Sequence, residues 1–115
     1  MDRLLDDIRQ FVREREWETF HSPKNLAAGL TVEAAELLEI FLWLTPEESR
    51  QLPADKLAMV REELGDVLIF LVNLADKFGL DPVDCARAKM RLNREKYPAE
   101  LVRGSAKKYN EYRRS

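Results

Sequence analysis

Cysteine and histidine are nearly absent from the sequence, and long apolar runs are missing. Cys85 is the only cysteine, so the chain can form no internal disulfide, and a reduced, cytoplasmic setting is expected. No apolar run reaches the roughly 18 residues needed to span a bilayer. The first residues, MDRLLDDIRQF, carry charges where a signal peptide needs an apolar segment. These shortages argue against a membrane partner and against a disulfide-stabilised secreted domain.

Charged residues are abundant instead. They make up 35% of the 115 residues and hydrophobic residues 45%, which is typical of a soluble globular protein of one domain. The net charge of −2 hides an asymmetry, because residues 103–115 contain five basic residues and one acidic residue. That segment carries +4 and residues 1–102 carry −6. An acidic body argues against a nucleic-acid polymer as partner and suits a protein that holds cations.

Apolar spacing predicts a helix near the start of the chain. Over residues 2–16, apolar side chains recur at intervals of three and four, the rhythm of an amphipathic helix. The stretch WETFHSPKN that follows is expected to form a turn. Within it, Ser22 is suited to cap a second helix and Pro23 to occupy its first position. That second helix should run to about Leu44.

Proline and glycine mark the remaining helix boundaries. Residues 45–48, Thr-Pro-Glu-Glu, are suited to a short extra turn. A third helix is predicted over about residues 55–78, because Gly79 is a favourable residue just beyond a helix end. The aspartate–proline pair at residues 81–82 repeats the cap-then-proline pattern and opens a fourth helix, which Pro98 ends.

Four helices joined by short turns predict an all-α fold, a four-helix bundle. The bundle domain is expected to cover residues 1–98, with residues 99–115 as a basic tail of little periodicity. The second and third helices are too apolar for one bundle to cover, so we expect a homodimer or homotetramer that buries a shared face. The alternative is that both are the central helices of a monomer.

The second and third helices each carry two acids on or beside their apolar face. At about 100° per residue, Glu33 falls in the middle of the most apolar stripe of the second helix, and Glu36 lies on its flank. In the third helix, Glu63 and Asp66 repeat this arrangement at the same i, i+3 spacing. Acid pairs set one turn apart are typical of metal sites in helical bundles.

Four carboxylates in apolar surroundings need neutralisation, since two like charges about 5 Å apart repel by roughly 3 kcal/mol at an effective dielectric near 20. Protonation, ion pairs with Lys56, Arg61 or Lys89, or a metal ion would each supply it. Clustered carboxylates without histidine or cysteine favour Mg²⁺, with Mn²⁺ as a substitute. The only histidine, His21, lies outside the Glu-x-x-His motif that a di-iron bundle requires.

These acids and four blocks of sequence resemble one enzyme family. Glu33-x-x-Glu36 followed by Glu63-x-x-Asp66 is similar to the ExxE…ExxD signature of the MazG-like all-α nucleoside triphosphate pyrophosphohydrolases. Four blocks resemble the subgroup that contains the dCTP pyrophosphatases: REREWETFHSPKNL, EAAELLEIFLWL, EELGDVLIFLVNLADKFGLD and KMRLNREKYP. Together they cover most of residues 11–98.

The resemblance implies that the protein cleaves a (d)NTP, expected to be dCTP or a modified dCTP, to the monophosphate and pyrophosphate in nucleotide pool sanitation. It implies that four acids are catalytic and hold Mg²⁺. These acids are Glu33, Glu36, Glu63 and Asp66. In-line attack by a water molecule is expected, and Glu36 or Glu39 is a candidate to orient it.

Nine further residues are expected to bind the substrate. They are Trp17, His21, Lys24, Asn25, Trp43, Phe70, Lys89, Asn93 and Tyr97. The resemblance places the tryptophans beside the base, with the histidine at a neighbouring position. It places Lys89 and Asn93 near the substrate, where basic groups should meet the phosphates, and Tyr97 extends the same block. The lysine and asparagine at 24–25 lie in the first turn of the second helix, where backbone N–H groups favour an anion.

Phe70 departs from the pattern of the vertebrate relatives, which have tyrosine at this position. The hydrogen bond that a hydroxyl would make to the sugar or a phosphate is therefore lost. Phe70 would instead pack against deoxyribose, which favours a 2′-deoxy substrate.

Two alternatives stay open. One is a pyrophosphohydrolase for another nucleotide such as dUTP, because a stacking pocket accepts any base. The other is a helical dimerisation module that binds nucleotide or metal without turnover, or whose acids are only ion pairs. The presence of all four acids counts against a site that has lost turnover.

Overall fold

The computed structural model describes residues 2–103, and all regular structure in this part of the chain is helical. The elements are α1 (Asp2–Glu14), a 3₁₀ turn (Glu18–Phe20), α2 (Pro23–Phe41), α3 (Pro46–Arg50), α4 (Ala54–Asp76), α5 (Pro82–Lys96) and α6 (Ala99–Val102). The prediction of an all-α fold is confirmed. None of the described helices is both long and apolar enough to cross a membrane.

The helices fall into two compact units, one with α1 to α4 and one with α5 and α6. Within the first unit, α1 and α2 each pack against α4. The predicted domain boundary at residue 98 stays a prediction. Most of the predicted basic tail, from residue 104 onward, lies outside the described residues.

Three helices begin at the caps that the sequence predicts. The Ser22 hydroxyl accepts a hydrogen bond from the N–H of Asn25 (3.1 Å), and the Asp81 carboxylate caps α5 in the same way. Thr45 and Glu48 form a capping box, in which each side chain accepts a hydrogen bond from the other residue's N–H. The bond from the Thr45 N–H holds the pKa of Glu48 below its ordinary value.

The end of α2 differs from the prediction, since the helix stops at Phe41 and not at about Leu44. The N–H of Leu44 donates to the carbonyl of Phe41, three residues back (2.9 Å). Bonds of this i→i−3 kind tighten the chain into a turn, after which α3 starts at Pro46. Trp43 therefore lies in a turn and not in the second helix, which was predicted to run to about Leu44.

Helices α1 and α4 end through the same motif, but with different residues. Gly79 follows α4 with φ of 65°, which confirms its predicted role beyond the helix end. Glu16 follows α1 with φ of 54°, so the helix stops before the predicted residue 16. The N–H of Trp17 then donates to the carbonyl of Val12, five residues back (3.1 Å). A non-glycine residue in this left-handed conformation is strained.

The buried apolar side chains of the first unit hold the long helices together. Ile8 and Val12 of α1 pack with Val72 of α4 in one cluster. On α2, Leu26 and Ile40 are buried. Their positions, seven residues before and after Glu33, show that the acid lies on the buried face of the helix.

An ion pair also joins α1 to α4. Arg9 Nε lies 3.0 Å from Asp76 Oδ2, and Arg9 Nη2 lies 2.5 Å from Asp76 Oδ1. This two-pronged hydrogen bond from the guanidinium holds the pKa of Asp76 below its ordinary value. The pair fixes the end of α4 against α1.

Single substitutions at the two left-handed positions, Glu16 and Gly79, should change the free energy of unfolding in opposite directions. Glu16→Gly should raise the free energy of unfolding by about 1 kcal/mol, because glycine adopts this conformation without strain. Gly79→Ala should lower it by about 1 kcal/mol, and an added methyl group there meets no atom of the described chain within 4 Å, so no clash contributes. Urea unfolding of both variants measures this, and a Glu16→Gly variant less stable than wild type would contradict it.

Candidate functional site

Helices α2 and α4 bring three of the four predicted acids together. Glu33 and Glu36 of α2 and Glu63 of α4 each offer a carboxyl oxygen, and these three oxygens lie within 4.8 Å of one another. Glu33 and Glu63 are half-buried because each projects from the face along which its helix packs. We call these three residues the carboxyl cluster.

Two members of the cluster, Glu33 and Glu63, have acceptor oxygens without donors among the described residues. Oε2 of Glu33 and Oε2 of Glu63 are buried, and neither receives a hydrogen bond from the described part of the chain. None of the ion pairs among the described residues joins the cluster to Lys56 or Arg61. Buried carboxylate oxygens need a proton or a cation as partner. The cluster therefore fits a bound cation and does not fit the ion-pair alternative with these two residues.

The three carboxyls raise one another's affinity for protons. When one carboxyl carries a proton, it can form a hydrogen bond between Glu33 and Glu63; this bond, together with burial, raises the pKa of Glu33 above its ordinary value of 4.5. The hydrogen bond and the negative charge of Glu33 likewise raise the pKa of Glu36. For Glu63, the hydrogen bond from Glu33 lowers the pKa, but burial and the nearby acids outweigh it, and the pKa is raised. Without a cation, the cluster holds protons that separate carboxyls would release.

Asp66, the fourth predicted acid, lies apart from the carboxyl cluster. It is exposed and lines a cavity of the first unit that the three cluster residues do not line. Its charge still contributes to the raised pKa of Glu33 and of Glu63. Asp66 is thus close enough to act on the cluster electrostatically while it faces the neighbouring cavity.

Two cavities border the acids. One, of about 360 Å³, is lined by Glu36, Glu39, Ile40, Lys56, Met59 and Glu63. The other, of about 390 Å³, lies between α1, the 3₁₀ turn and α4. We call the second the aromatic pocket, and its lining residues are Leu4, Asp7, Ile8, Phe11, Val12, Trp17, His21, Asp66, Ile69, Phe70 and Asn73. Its size and mainly apolar lining suit a small planar ligand.

The aromatic side chains of the pocket pack in a chain. Phe11 and Trp17 meet edge to face with ring centroids 5.8 Å apart. The Trp17 and His21 rings follow at 6.4 Å and are tilted by 59°. Three residues expected to bind the substrate, Trp17, His21 and Phe70, therefore share one pocket with Asp66. The strained turn at Glu16 directly precedes the first of them.

Gly29 of α2 has no side chain, and this allows the Phe70 ring of α4 to pack directly against the backbone of α2. A methyl group at Gly29 would overlap the Phe70 ring, so the close approach requires the missing side chain. The ring lines the aromatic pocket from this position. Packing between α2 and α4 therefore places both the carboxyl cluster and one wall of the pocket.

The polar wall of the pocket is a hydrogen-bonded pair. Asn73 of α4 is 8% exposed, and its Nδ2 lies 3.1 Å from Nδ1 of His21. The bond links the turn before α2 to the middle of the pocket. Asn73 is not among the residues predicted from the sequence, where its only signal is a polar side chain near the apolar face of the helix, one turn beyond Phe70.

Comparison with known proteins identifies the family of this chain. Residues 29–112 match the MazG-like family. The chain belongs to the MazG-like family. This segment includes all four acids and most of the blocks on which the predicted resemblance depends, so that prediction is confirmed.

Curated relatives of this MazG-like protein are named dCTP pyrophosphatase 1. The Homo sapiens protein is 44% identical over 114 residues, and the Mus musculus protein is 43% identical over 113 residues. Each alignment covers 93% of this chain and 66% of the relative, so the chain spans just under two thirds of their length. A solved crystal structure, a pyrophosphatase from Archaeoglobus fulgidus, has a TM-score of 0.81 and 41% identity, covering 85% of this chain and 92% of that one.

The remaining residues predicted to bind substrate lie outside the aromatic pocket lining. Trp43 is 89% exposed in the turn after α2. Asn25 donates its side-chain amide to the Phe20 carbonyl (3.0 Å), and Lys24 is exposed beside it. Lys89 and Asn93 on α5, and Tyr97 at its C-terminal cap, belong to the second compact unit. Their binding roles stay predictions.

Adding a methyl group at two glycines should separate packing from helix propensity. Gly65→Ala should raise the free energy of unfolding by about 0.5–1 kcal/mol, because alanine has the higher helix propensity. The added methyl group meets no described atom within 4 Å, so no clash opposes this gain. Gly29→Ala should lower it by about 1 kcal/mol, since overlap with Phe70 outweighs the same gain in helix propensity.

The double variant Gly29→Ala with Phe70→Leu is the control, and its smaller side chain should recover most of the loss. Chemical denaturation followed by circular dichroism measures all three variants. Equal stabilisation by Gly29→Ala and Gly65→Ala would contradict the close packing of α2 on α4.

Removing one charge from the carboxyl cluster should stabilise the cation-free protein. At pH 7 without divalent ions, Glu33→Gln should unfold a few degrees above wild type, because glutamine removes a buried charge and donates to Glu63. The folded wild type takes up protons at higher pH than the unfolded chain, since the three pKa values are raised. Wild type should therefore gain stability relative to the variant as pH falls from 7 towards 4.5.

Thermal unfolding over this pH range, in the presence of a chelator, measures the effect. The exposed neighbour Glu62 provides the matched control, and Glu62→Gln should change neither the midpoint nor its pH dependence. A Glu33→Gln variant that behaves like Glu62→Gln would show that the acids do not repel one another.

Proposed function

We propose that this protein is a nucleotide pyrophosphohydrolase that hydrolyses the α–β phosphoanhydride of a nucleoside triphosphate. The products are the monophosphate and pyrophosphate. The carboxyl cluster carries this proposal, because its three acids, two of which have unpartnered buried oxygens, lie beside a pocket lined by aromatic rings. Membership of the MazG-like family and likeness to a solved pyrophosphatase support it.

The acids would hold the divalent cation that such a substrate needs. Glu33, Glu36 and Glu63 supply only carboxylate oxygens, a donor set that favours Mg²⁺, with Mn²⁺ as substitute. Asp66 would be the fourth ligand, on the side of the aromatic pocket. When bound, Mg²⁺ neutralises triphosphate charge and polarises the phosphoryl group.

Water must attack the phosphoryl group in line with the leaving pyrophosphate. Glu36 and Glu39 both line the 360 Å³ cavity, and either carboxylate would orient the water by accepting its hydrogen bond. Glu39 is exposed and lies outside the carboxyl cluster, so it can serve the water without also serving as a metal ligand.

We propose dCTP or a modified dCTP as the substrate, in the sanitation of nucleotide pools. The relatives named dCTP pyrophosphatase support this substrate. The base would stack on Trp17 in the aromatic pocket, a contact worth about 1–3 kcal/mol. Phe70 offers no hydroxyl and would pack against the deoxyribose. Lys24, Asn25, Lys89, Asn93 and Tyr97 are the proposed phosphate contacts.

We also propose that the protein works as a homodimer or homotetramer in the cytoplasm, with no nucleic-acid polymer or membrane as partner. Exposed apolar side chains on α2 and α4 support self-association, because monomers seldom expose large apolar surfaces. They include Val32, Leu38, Leu57, Leu64, Leu68 and Leu71.

Pyrophosphate release from a panel of dNTPs with Mg²⁺ tests the activity. Wild type should release pyrophosphate, fastest from dCTP or a 5-substituted dCTP. Glu63→Gln should reduce the rate at least about 100-fold, because it removes a cation ligand. Glu62→Gln, its exposed neighbour on α4, should retain the wild-type rate.

Other outcomes of the same experiment identify the alternatives. A preference for dUTP would support the proposed hydrolase activity and show that the substrate is dUTP and not dCTP. Tight nucleotide binding without pyrophosphate release would indicate a binding module. No binding and no release from folded protein would contradict the proposal.

A further inference from the structure

The bond between His21 and Asn73 determines which ring nitrogen carries the proton. An amide nitrogen only donates, so Asn73 Nδ2 is the donor and His21 Nδ1 is the acceptor. The neutral imidazole then carries its hydrogen on Nε2. Among the described residues, no other hydrogen bond to the His21 ring is present. The ring therefore has one free donor.

This donor belongs to the aromatic pocket. His21 is half-buried and lines the pocket beside Trp17, whose ring lies 6.4 Å away. Asn73 is buried and comes from α4, 52 residues further along the chain, so the pocket wall itself holds the imidazole. Among residues that line this pocket, the two acids Asp7 and Asp66 only accept hydrogen bonds when ionised. No hydrogen bond from His21 to either acid is present in the described part of the chain, so the Nε2 hydrogen is available to an acceptor on a ligand.

We propose that Asn73 is a positioning residue for substrate recognition, which fixes His21 in the Nε2–H form so that it donates to an acceptor on the nucleobase. The inference rests on the proposed function, because it takes a nucleotide as the ligand. The acceptor would be a ring nitrogen or carbonyl oxygen on the edge of the base. Stacking on Trp17 tolerates any base, whereas a fixed donor requires an acceptor at one place on the base.

Nitrogen-15 NMR tests the tautomer directly, because His21 is the only histidine in the chain. The long-range proton–nitrogen correlations of wild type should show the hydrogen on Nε2. Adding a non-hydrolysable dCTP analogue with Mg²⁺ should shift the Nε2 signal, and inorganic triphosphate with Mg²⁺ should leave it unchanged. A hydrogen on Nδ1, or an Nε2 signal that the analogue does not move, would overturn the proposal.

A double-mutant cycle tests whether Asn73 acts through His21. Asn73→Ala should raise KM for dCTP roughly fivefold and leave kcat nearly unchanged, since one hydrogen bond to the bound base is weakened. In a His21→Ala background the same substitution should have no further effect. An equal rise in both backgrounds would show a structural role only and overturn the proposal.

The two measurements separate this proposal from the proposed function. If wild type releases no pyrophosphate, the hydrolase function fails, and the NMR titration still decides the positioning role by binding alone. If Asn73→Ala does not fold, the NMR measurements on wild type decide it. If pyrophosphate is released but the Nε2 signal does not shift when the nucleotide analogue is added, only the positioning proposal fails.

Discussion

The mutual repulsion of three carboxyls between α2 and α4 is the constraint on which the rest of the structure depends. Glu33, Glu36 and Glu63 place acceptor oxygens within 4.8 Å of one another, and two of those side chains carry buried oxygens without donors among the described residues. The buried apolar residues of α2 and α4 hold the helices together against this repulsion. The raised pKa values of the three carboxyls reflect this repulsion together with burial, since protons are retained where no cation is present. This arrangement of acids is the basis for proposing that the site binds a divalent cation.

The same helix pair connects the cluster to the aromatic pocket. Glu63 and Asp66 are one turn apart on α4, about 5 Å along the axis, yet Asp66 faces the aromatic pocket. Phe70 follows one turn later, where Gly29 leaves room for its ring, and Asn73 follows one turn after that. A single face of α4 thus presents acid, aromatic ring and amide in succession. This order matches a ligand with phosphates at one end and a base at the other.

The sequence predicts the helices well, because their apolar spacing and their caps are local properties. Ser22, Thr45 and Gly79 act as their residue types indicate. The end of α1 is different, since a glutamate in the left-handed conformation at Glu16 carries no local signal. The end of α2 at Phe41, before Trp43, differs from the prediction for a related reason, because the apolar residues continue to Leu44 and do not mark where the helix stops.

Contacts between distant residues account for the other differences. Helical spacing places Glu33 and Glu63 on the faces that meet, and this follows from sequence alone. The division of the acids into a cluster of three and a separate Asp66 depends on how α2 rotates against α4, which no single helix specifies. The bond between His21 and Asn73 joins residues 52 positions apart. Neither residue indicates the other before the chain is folded.

Titration calorimetry with Mg²⁺ or Mn²⁺ tests the central claim most directly. The folded wild-type protein, with a non-hydrolysable triphosphate analogue present, should release or absorb heat on cation binding, and the Glu33→Gln protein should bind much more weakly. Absence of any binding heat, with or without the analogue, from wild type that circular dichroism shows to be folded would contradict the account.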